Sequence, residues 1–296
     1  MGLRDIIALV VLAGIWGGSF IFMRVAAPEF GIYVLVAVRT LLATAVLLPL
    51  LVLKGGLSQI RHHWFAIALV GLVNTAIPFV LFNYSSLHLE AGVNAILNAT
   101  APMFGAMVAW LWLGDKLTKS AIVGLLVGFV GVAVISQQKL GEGEVSFFPI
   151  LTALLATTCY GIAASMMKKW LQGVEPLAVA TGSQAFASIM LAPFALATLP
   201  ATMPSNNAWI NAVALAIGGT GIAYILYFKL IADVGPAKAI TVAYLVPLFG
   251  IIWGVLLLQE HLSAQTIVGG IMILLGVALT TGVLTKRRKK SKLESA

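Results

Sequence analysis

The sequence predicts an all-α integral membrane protein, with ten transmembrane helices arranged as two inverted five-helix repeats. Three observations carry this. Hydrophobic residues make up 60% of the 296-residue chain and charged residues only 9%. A soluble domain carries about 25% charged residues, so this chain cannot coat a water-exposed surface of its own size. The apolar residues fall in runs close to the roughly 20 that a helix needs to cross the hydrocarbon core. Finally, the second half repeats a pattern of the first at a fixed offset.

The runs are Ile6–Val25, Ile32–Leu53, Trp64–Tyr84, Gly92–Leu113, Ile122–Ser136, Phe147–Met167, Leu177–Leu199, Trp209–Ile231, Ala239–Leu258 and Ile267–Leu284. Backbone polar groups in hydrocarbon must bond internally, so runs of this length are helices and not open strands. The fifth is short and is expected to extend into its flanks. Among the breaks, Lys54–His63 is basic, Gly141–Ser146 is a Gly/Glu turn and Pro200–Asn207 is rich in Pro, Ser and Asn. None has room for a soluble domain. Arg4 before the first run and Val25-Ala26-Ala27 after it loosely resemble a cleavable leader. The repeat uses that run as a structural element, so we expect it to be retained.

Lysine and arginine set the orientation. With both termini cytoplasmic, the inner segments hold Arg4, Lys54, Arg61, Lys116, Lys119, Lys168, Lys169, Lys229 and Lys238, nine cations, plus six in the tail, or 15 of the 18. The outer segments hold Arg24 and Lys139, and Arg39 lies within a span. This asymmetry matches the positive-inside rule. The tail cluster, from Lys286 to Lys292, would suit nucleic acid in a soluble protein. Directly after an apolar helix it fits anionic lipid on the cytoplasmic side, so the expected partner is the bilayer and not nucleic acid. A single cysteine, Cys159, excludes a disulfide framework or a cysteine metal cluster within the chain. No metal or other cofactor is expected.

The repeat is read directly from identities. Pro102-Met103-Phe104-Gly105 matches Pro247-Leu248-Phe249-Gly250 at an offset of 145 residues. At the same offset Leu111, Leu113, Leu117, Ile122-Val123-Gly124 and Gly131-Val132-Ala133 recur as Leu256, Leu258, Leu262, Ile267-Val268-Gly269 and Gly276-Val277-Ala278. That makes 12 identities over 102–133 without a gap, against about three by composition. Trp16-Gly17 and Arg24 align with Tyr160-Gly161 and Lys168 at an offset of 144. The chain divides into a first repeat, 1–140, a second, 141–285, and a basic cytoplasmic tail, 286–296. Five helices per unit is odd, so the second unit enters the membrane from the opposite side. An inverted repeat lets a central site open to either face by similar motions, which points to transport.

These residues resemble the EamA type of the drug/metabolite transporter superfamily. Trp16-Gly17-Gly18-Ser19-Phe20 looks like the opening motif of that family, and Arg39 in Val38-Arg39-Thr40-Leu41-Leu42-Ala43 resembles its second-helix arginine. Pro102 to Leu117 and Pro247 to Leu262 look like its two proline-to-acidic signatures, ending Gly114-Asp115-Lys116-Leu117 and Gln259-Glu260-His261-Leu262. Tyr160-Gly161-Ile162 departs from the motif, with Tyr in place of Trp. The resemblance implies a ten-helix metabolite carrier of a bacterial-type cytoplasmic (inner) membrane. In overall appearance the chain is nearest the YddG-type amino-acid exporters.

Polar groups deep in a span face a cavity or a partner helix. Asn94 and Asn98 are four apart and Gly105 returns to the same sector, a stripe that suits cavity lining and also suits interhelical hydrogen bonding. Asn74 and Asn83 sit about 180° apart on the third span, with Pro78 between them, and we prefer Asn83 for the cavity. Trp16, Tyr160, Tyr224 and Tyr244 lie away from helix ends, where interfacial aromatics anchor; packing and substrate contact are both open to them. The expected substrate-binding set is therefore Trp16, Asn83, Asn94, Asn98, Tyr160, Tyr224 and Tyr244. Arg39 stands about 10 Å deep. It could hold a substrate carboxylate, but a structural or gating tie is favoured. Pro102 and Pro247 are expected to kink their helices. Gly14/Gly18, Gly124/Gly128 and Gly250/Gly254 are small-residue pairs for close helix approach.

No span carries a carboxylate near its middle, which favours facilitated transport or exchange over proton coupling. His-Glu-x-x-His, Gly-x-Ser-x-Gly and phosphate-loop motifs are missing, so an enzyme is disfavoured. Nucleotide-sugar or phosphate-ester carriage is the alternative within transport, and it needs more deep cations than Arg39 alone. An amino acid or similar small metabolite is the expected substrate.

Overall fold

Each apolar run holds a helix until something interrupts the backbone ladder. The computed structural model describes residues 2–141 and 147–283. The basic tail, residues 142–146 of the Gly/Glu turn and the side chains of 138–141, 236 and 237 lie outside the described residues. Ten long helices follow one another: α1 Leu3–Phe30, α2 Ile32–Leu53, α3 Trp64–His88, α4 Ala91–Leu113, α5 Lys119–Gly141, α6 Phe148–Trp170, α7 Pro176–Ala197, α8 Asn206–Val234, α9 Val242–Leu258 and α10 Ala264–Thr280. Short turns Leu57–His62 and Pro236–Ala239 precede α3 and α9. Among the described residues there is no strand.

The helices outrun the apolar runs at several ends. The first continues past Val25 to Phe30, and the third past Tyr84 to His88. Polar residues can continue a helix when their side chains find partners at its end. Ser205 and Ser263 cap α8 and α10, accepting from the Ala208 and Thr266 nitrogens at 3.2 and 3.0 Å. The fifth helix extends into both flanks, from Lys119 to Gly141. Among the described residues eight helices are long and apolar enough to cross a membrane; α9 and α10 have 17 residues each. Seventeen residues rise about 26 Å, close to the roughly 30 Å hydrocarbon core.

Inter-repeat packing comes in matched pairs. Helix α1 packs on α9 and α8, while α6 packs on α4 and α3. Helix α2 packs on α8 and α3 on α7. Contacts of α2 with α7, of α5 with α10 and of α4 with α9 join equivalent helices of the two halves. These pairs exchange when one repeat is swapped for the other, as a pseudo-twofold relation requires, whereas the contact of α4 with α10 has no counterpart of similar extent between α9 and α5. The two halves run oppositely: the end of α1 meets the start of α4 and the end of α9, while the end of α6 meets the opposite end of α4.

Small residues make these contacts. Lipid tails are as apolar as leucine, so helix association in a bilayer rests on close packing and not on hydrophobic burial. A Cβ added to Gly124 would stand 2.5 Å from the Gly276 carbonyl oxygen, and one on Gly131 would stand 2.6 Å from that of Gly269, so α5 and α10 touch backbone to backbone. Outward-facing Leu126 and Leu256, 63% and 66% exposed, present the apolar surface that a bilayer solvates.

Candidate functional site

Between the repeats lies a cavity of about 830 Å3. Its rim is formed by Leu113, Asp115, Lys168, Leu171, Val174 and Pro176, from the α4–α5 and α6–α7 connections. The same end carries Lys54, paired with Glu175 at 3.5 Å. We call it the basic end. None of Arg24, Glu29 or Glu260, at the other end, lines the cavity. There Glu29 accepts from the nitrogen and hydroxyl of Ser205 at 2.6 and 2.8 Å, tying α1 to the α7–α8 connection. The cavity is thus open at the basic end and closed at the opposite one.

Arg39 is the deep charge. It is 6% exposed and lines the cavity floor. Its Nε donates to Thr220 Oγ1 at 2.9 Å, Nη1 reaches Met23 Sδ at 3.8 Å, and the guanidinium lies 3.6 Å from the Phe79 ring centroid. Among the described residues it has no carboxylate partner. Burying an unpaired charge is costly, and here a cation–π contact and neutral acceptors offset only part of that cost. Most of its N–H donors remain uncommitted.

Thr220 is presented by a π-helical stretch of α8, Ala214–Ile222, and α3 carries another, Leu72–Ala76. The extra residue per turn shifts the side chains that follow. Thr75 and Thr220 are 145 residues apart, so the two stretches sit at equivalent places in the repeats. Beyond them come Phe79 and Phe82 on α3, and Tyr224 and Tyr227 on α8, again 145 apart and all lining the cavity. Trp16 packs on Tyr227 at 5.2 Å between ring centroids, Phe82 on Tyr160 at 6.2 Å and Tyr224 on Phe228 at 5.7 Å. The chamber is therefore a set of aromatic walls around one buried cation.

Comparison with known proteins agrees with this architecture. The EamA-like transporter family model matches twice, over residues 4–137 and 147–282. The chain belongs to the EamA-like transporter family. An uncharacterized transporter of Bacillus subtilis, YvbV, is 22% identical over 93% of this chain and 91% of its own. A probable terminal-alkyne amino-acid exporter of Streptantibioticus cattleyicolor is 25% identical, covering 96% and 95%. The uncharacterized inner membrane transporter YedA of Escherichia coli is 26% identical, covering 93% and 90%. A solved crystal structure that is 17% identical superposes with a TM-score of 0.67 over 97% of this chain and 99% of its own, which supports the fold. The protein is a multi-pass membrane transporter.

In this EamA-like transporter the expected site residues separate into two groups. Trp16, Asn98, Tyr160 and Tyr224 line the cavity, as do Arg39 and Pro102. Asn83, Asn94, Tyr244 and Pro247 do not. Asn83 donates to the Ile32 carbonyl at 3.2 Å, fastening α3 to the start of α2. Asn94 accepts from Ser85 Oγ at 2.6 Å and donates to Ser86 Oγ at 3.4 Å, fastening α4 to α3. The Tyr244 hydroxyl bonds Thr281 Oγ1 at 2.5 Å, joining α9 to α10 near the basic end.

The two prolines also differ. Helix α4 breaks at Ala99–Thr100, just before Pro102, where Thr100 Oγ1 donates to the Leu97 carbonyl at 2.7 Å and stands 3.1 Å from Thr157 Oγ1. The break turns Asn98, Pro102 and Gly105 toward the cavity. Pro247 lies inside the continuous helix α9, and the break in that half comes earlier, at Ile240–Thr241.

Sequence reasoning passed over Phe20, Met23, Asn74, Phe79, Phe82, Thr220 and Tyr227 as lining residues. The repeat offset held a usable signal for three of them. Carried back 145 residues, Tyr224 falls on Phe79 and Tyr227 on Phe82, and the i, i+3 spacing puts each pair on one helix face.

Proposed function

We propose that the chain exports amino acids, aromatic and other neutral ones among them, or similar small zwitterionic metabolites, by alternating access through this cavity. Arg39 carries the reading. A buried guanidinium with uncommitted donors and no acidic partner among the described residues suits a substrate carboxylate, which it can bind through two parallel hydrogen bonds. Around it Asn98, Tyr160 and Tyr224 offer acceptors and ring faces for an ammonium, and the Trp16 side accepts an apolar side chain. A volume of about 830 Å3 lies in the range of small-molecule sites. In this reading Asn83, Asn94 and Tyr244 hold the walls, and Pro102 shapes the one at the α4 break.

The basic end is assigned to the cytoplasm by the positive-inside rule. The cavity then faces the loading side of an exporter in a bacterial cytoplasmic membrane, with ten spans in two repeats, 1–140 and 141–285, and both termini inside. The name of the Streptantibioticus relative supports an amino-acid substrate. Nucleotide sugars and phosphate esters fit less well, because their several negative charges would meet a single deep cation. The one acidic lining residue is Asp115, at the rim and paired with Lys168 at 2.8 Å. Among the described residues the chamber offers no deep carboxylate to carry a proton, so the transport mode in this reading is facilitated diffusion or exchange.

Purified protein in liposomes loaded with unlabelled amino acids should take up labelled amino acid by counterflow, with no imposed pH difference. Absence of counterflow across a panel of neutral amino acids refutes the substrate class. Counterflow that collapses with the proton gradient, the substrate gradient being held, refutes the coupling.

A further inference from the structure

The closed end is latched by one group. Glu260 is 6% exposed in its side chain, its Oε1 lies 3.4 Å from Arg24 Nε, and it accepts from the Ala91 and Gly92 nitrogens at 2.8 and 3.2 Å. Arg24 in turn donates to the Leu89 and Ser86 carbonyls at 2.7 and 3.1 Å. The pair stitches the ends of α1 and α9 to the turn between α3 and α4. A carboxylate at the start of a helix and a cation at the end of another are each in their favoured place.

The open end carries the counterpart. Asp115 is 145 residues before Glu260, and Lys168 is 144 after Arg24. Both acids are delivered by the same turn. Gly114 and Gln259, with φ of 73° and 54°, precede them in left-handed conformation. The Asp115 nitrogen bonds the Ala109 carbonyl at 3.2 Å, and the Glu260 nitrogen bonds that of Gly254 at 3.1 Å. Gln259 is the one non-glycine residue with positive φ among the described residues, a strain consistent with a turn that must place its acid. Yet Asp115 and Lys168, 2.8 Å apart, are 51% and 58% exposed and lie on the rim of the cavity.

We propose that the Glu260 and Asp115 turns are alternately docked gates: Glu260, paired with Arg24, is docked on the start of α4, while Asp115, although paired with Lys168, stands undocked at the rim. To close the basic end, Asp115 docks on the turn that precedes α9, as Glu260 docks on the start of α4, and the opposite latch releases. The inference rests on alternating access, not on the identity of the substrate. It also gives the two gates unequal strength. In the inner gate Asp replaces Glu, Lys replaces Arg, and the residue equivalent to Ala91 is Pro236, whose nitrogen has no proton to donate. Each difference removes reach or a hydrogen bond, so with no substrate the protein rests open at its basic end, the state of this structure.

The test needs no substrate. A single cysteine at the cavity wall, Ala101→Cys on a Cys159→Ser background, is exposed to a membrane-impermeant maleimide from either face of sealed vesicles. The parent should react from the basic face. Asp115→Glu/Lys168→Arg/Pro236→Ala, which copies the strong latch into the weak one, should slow that reaction and raise reaction from the other face by about tenfold, roughly 1.4 kcal/mol of bias. Glu260→Gln, which weakens the strong latch, should also open the other face. A triple variant labelled as the parent is, or a folded Glu260→Gln protein that still reacts only from the basic face, overturns the proposal. Should Glu260→Gln fail to reach the membrane, the triple variant, altered at exposed side chains and one turn, decides alone. A wrong substrate class would leave all of these labelling patterns intact.

Discussion

Gly161 meets Gly105 so closely that a Cβ on Gly161 would stand 2.8 Å from the Gly105 nitrogen. Gly17 meets Gly250 in the same way, again with 2.8 Å to the nitrogen. These are the crossings of α6 with α4 and of α1 with α9, equivalent in the two repeats. Each ion-pair gate sits at the far end of one of these helix pairs. A Cβ added at Gly17 or Gly161 would meet backbone of the facing helix, whereas one on Gly105 would meet nothing nearer than 3.9 Å.

Alanine at either crossing should therefore destabilise the fold. Gly17→Ala and Gly161→Ala are each expected to cost about 1–3 kcal/mol, the range for overpacking a filled interior. Gly14→Ala is the control, because its Cβ would meet nothing nearer than 3.8 Å. Thermal unfolding in detergent, followed by intrinsic fluorescence, should show lower midpoints for the first two and little change for the third.

Arg39→Gln should lower apparent affinity for amino acids by about ten- to a hundredfold, as expected for losing a charge-assisted hydrogen bond of about 1.5–3 kcal/mol. Amino acids blocked as amides should lose far less, having no carboxylate to hold. Equilibrium binding to purified protein measures both. Equal losses for free and amidated ligands would show that Arg39 acts through Thr220 and Phe79 on the shape of the site.

Asn94 and Asn98 should respond differently although only four residues separate them. Asn98→Leu removes a polar group from the cavity and should cut flux for several amino acids together, with the unfolding midpoint little changed. Asn94→Leu strands the hydroxyls of Ser85 and Ser86 and should lower stability by about 1–2 kcal/mol, the scale of interhelical hydrogen bonds. Flux per folded molecule, measured beside the melt, separates the two effects. Flux equally unaffected in both variants would remove the fourth helix from the site.

Orientation is checked independently. Reporter fusions after Ala296 should read as cytoplasmic, and one inserted at Gly143 should read as external. An external reading at Ala296 would reverse the assignment of the basic end and turn the proposed loading side into the release side.

The sequence by itself determined the helices, their ends to within a few residues, the repeat and the basic end. These follow from local causes: apolar runs of membrane length, identities at a fixed offset and the clustering of lysine and arginine. Tertiary structure decided which polar groups face the cavity. Asn94 and Asn98 carry the same local signal, but the break at Ala99–Thr100 and the serines of α3 sort one into the wall and the other into the chamber. Arg39 is held by Thr220, 181 residues away, through a π-helical stretch that no apolar pattern marks. Which gate is shut depends on contacts between the repeats, where Glu260 finds two backbone N–H groups and Asp115 meets only Lys168 at an open rim. Hydropathy records how each helix meets lipid, whereas the rotation of one helix against another is set by packing across the whole chain, which a local pattern does not encode.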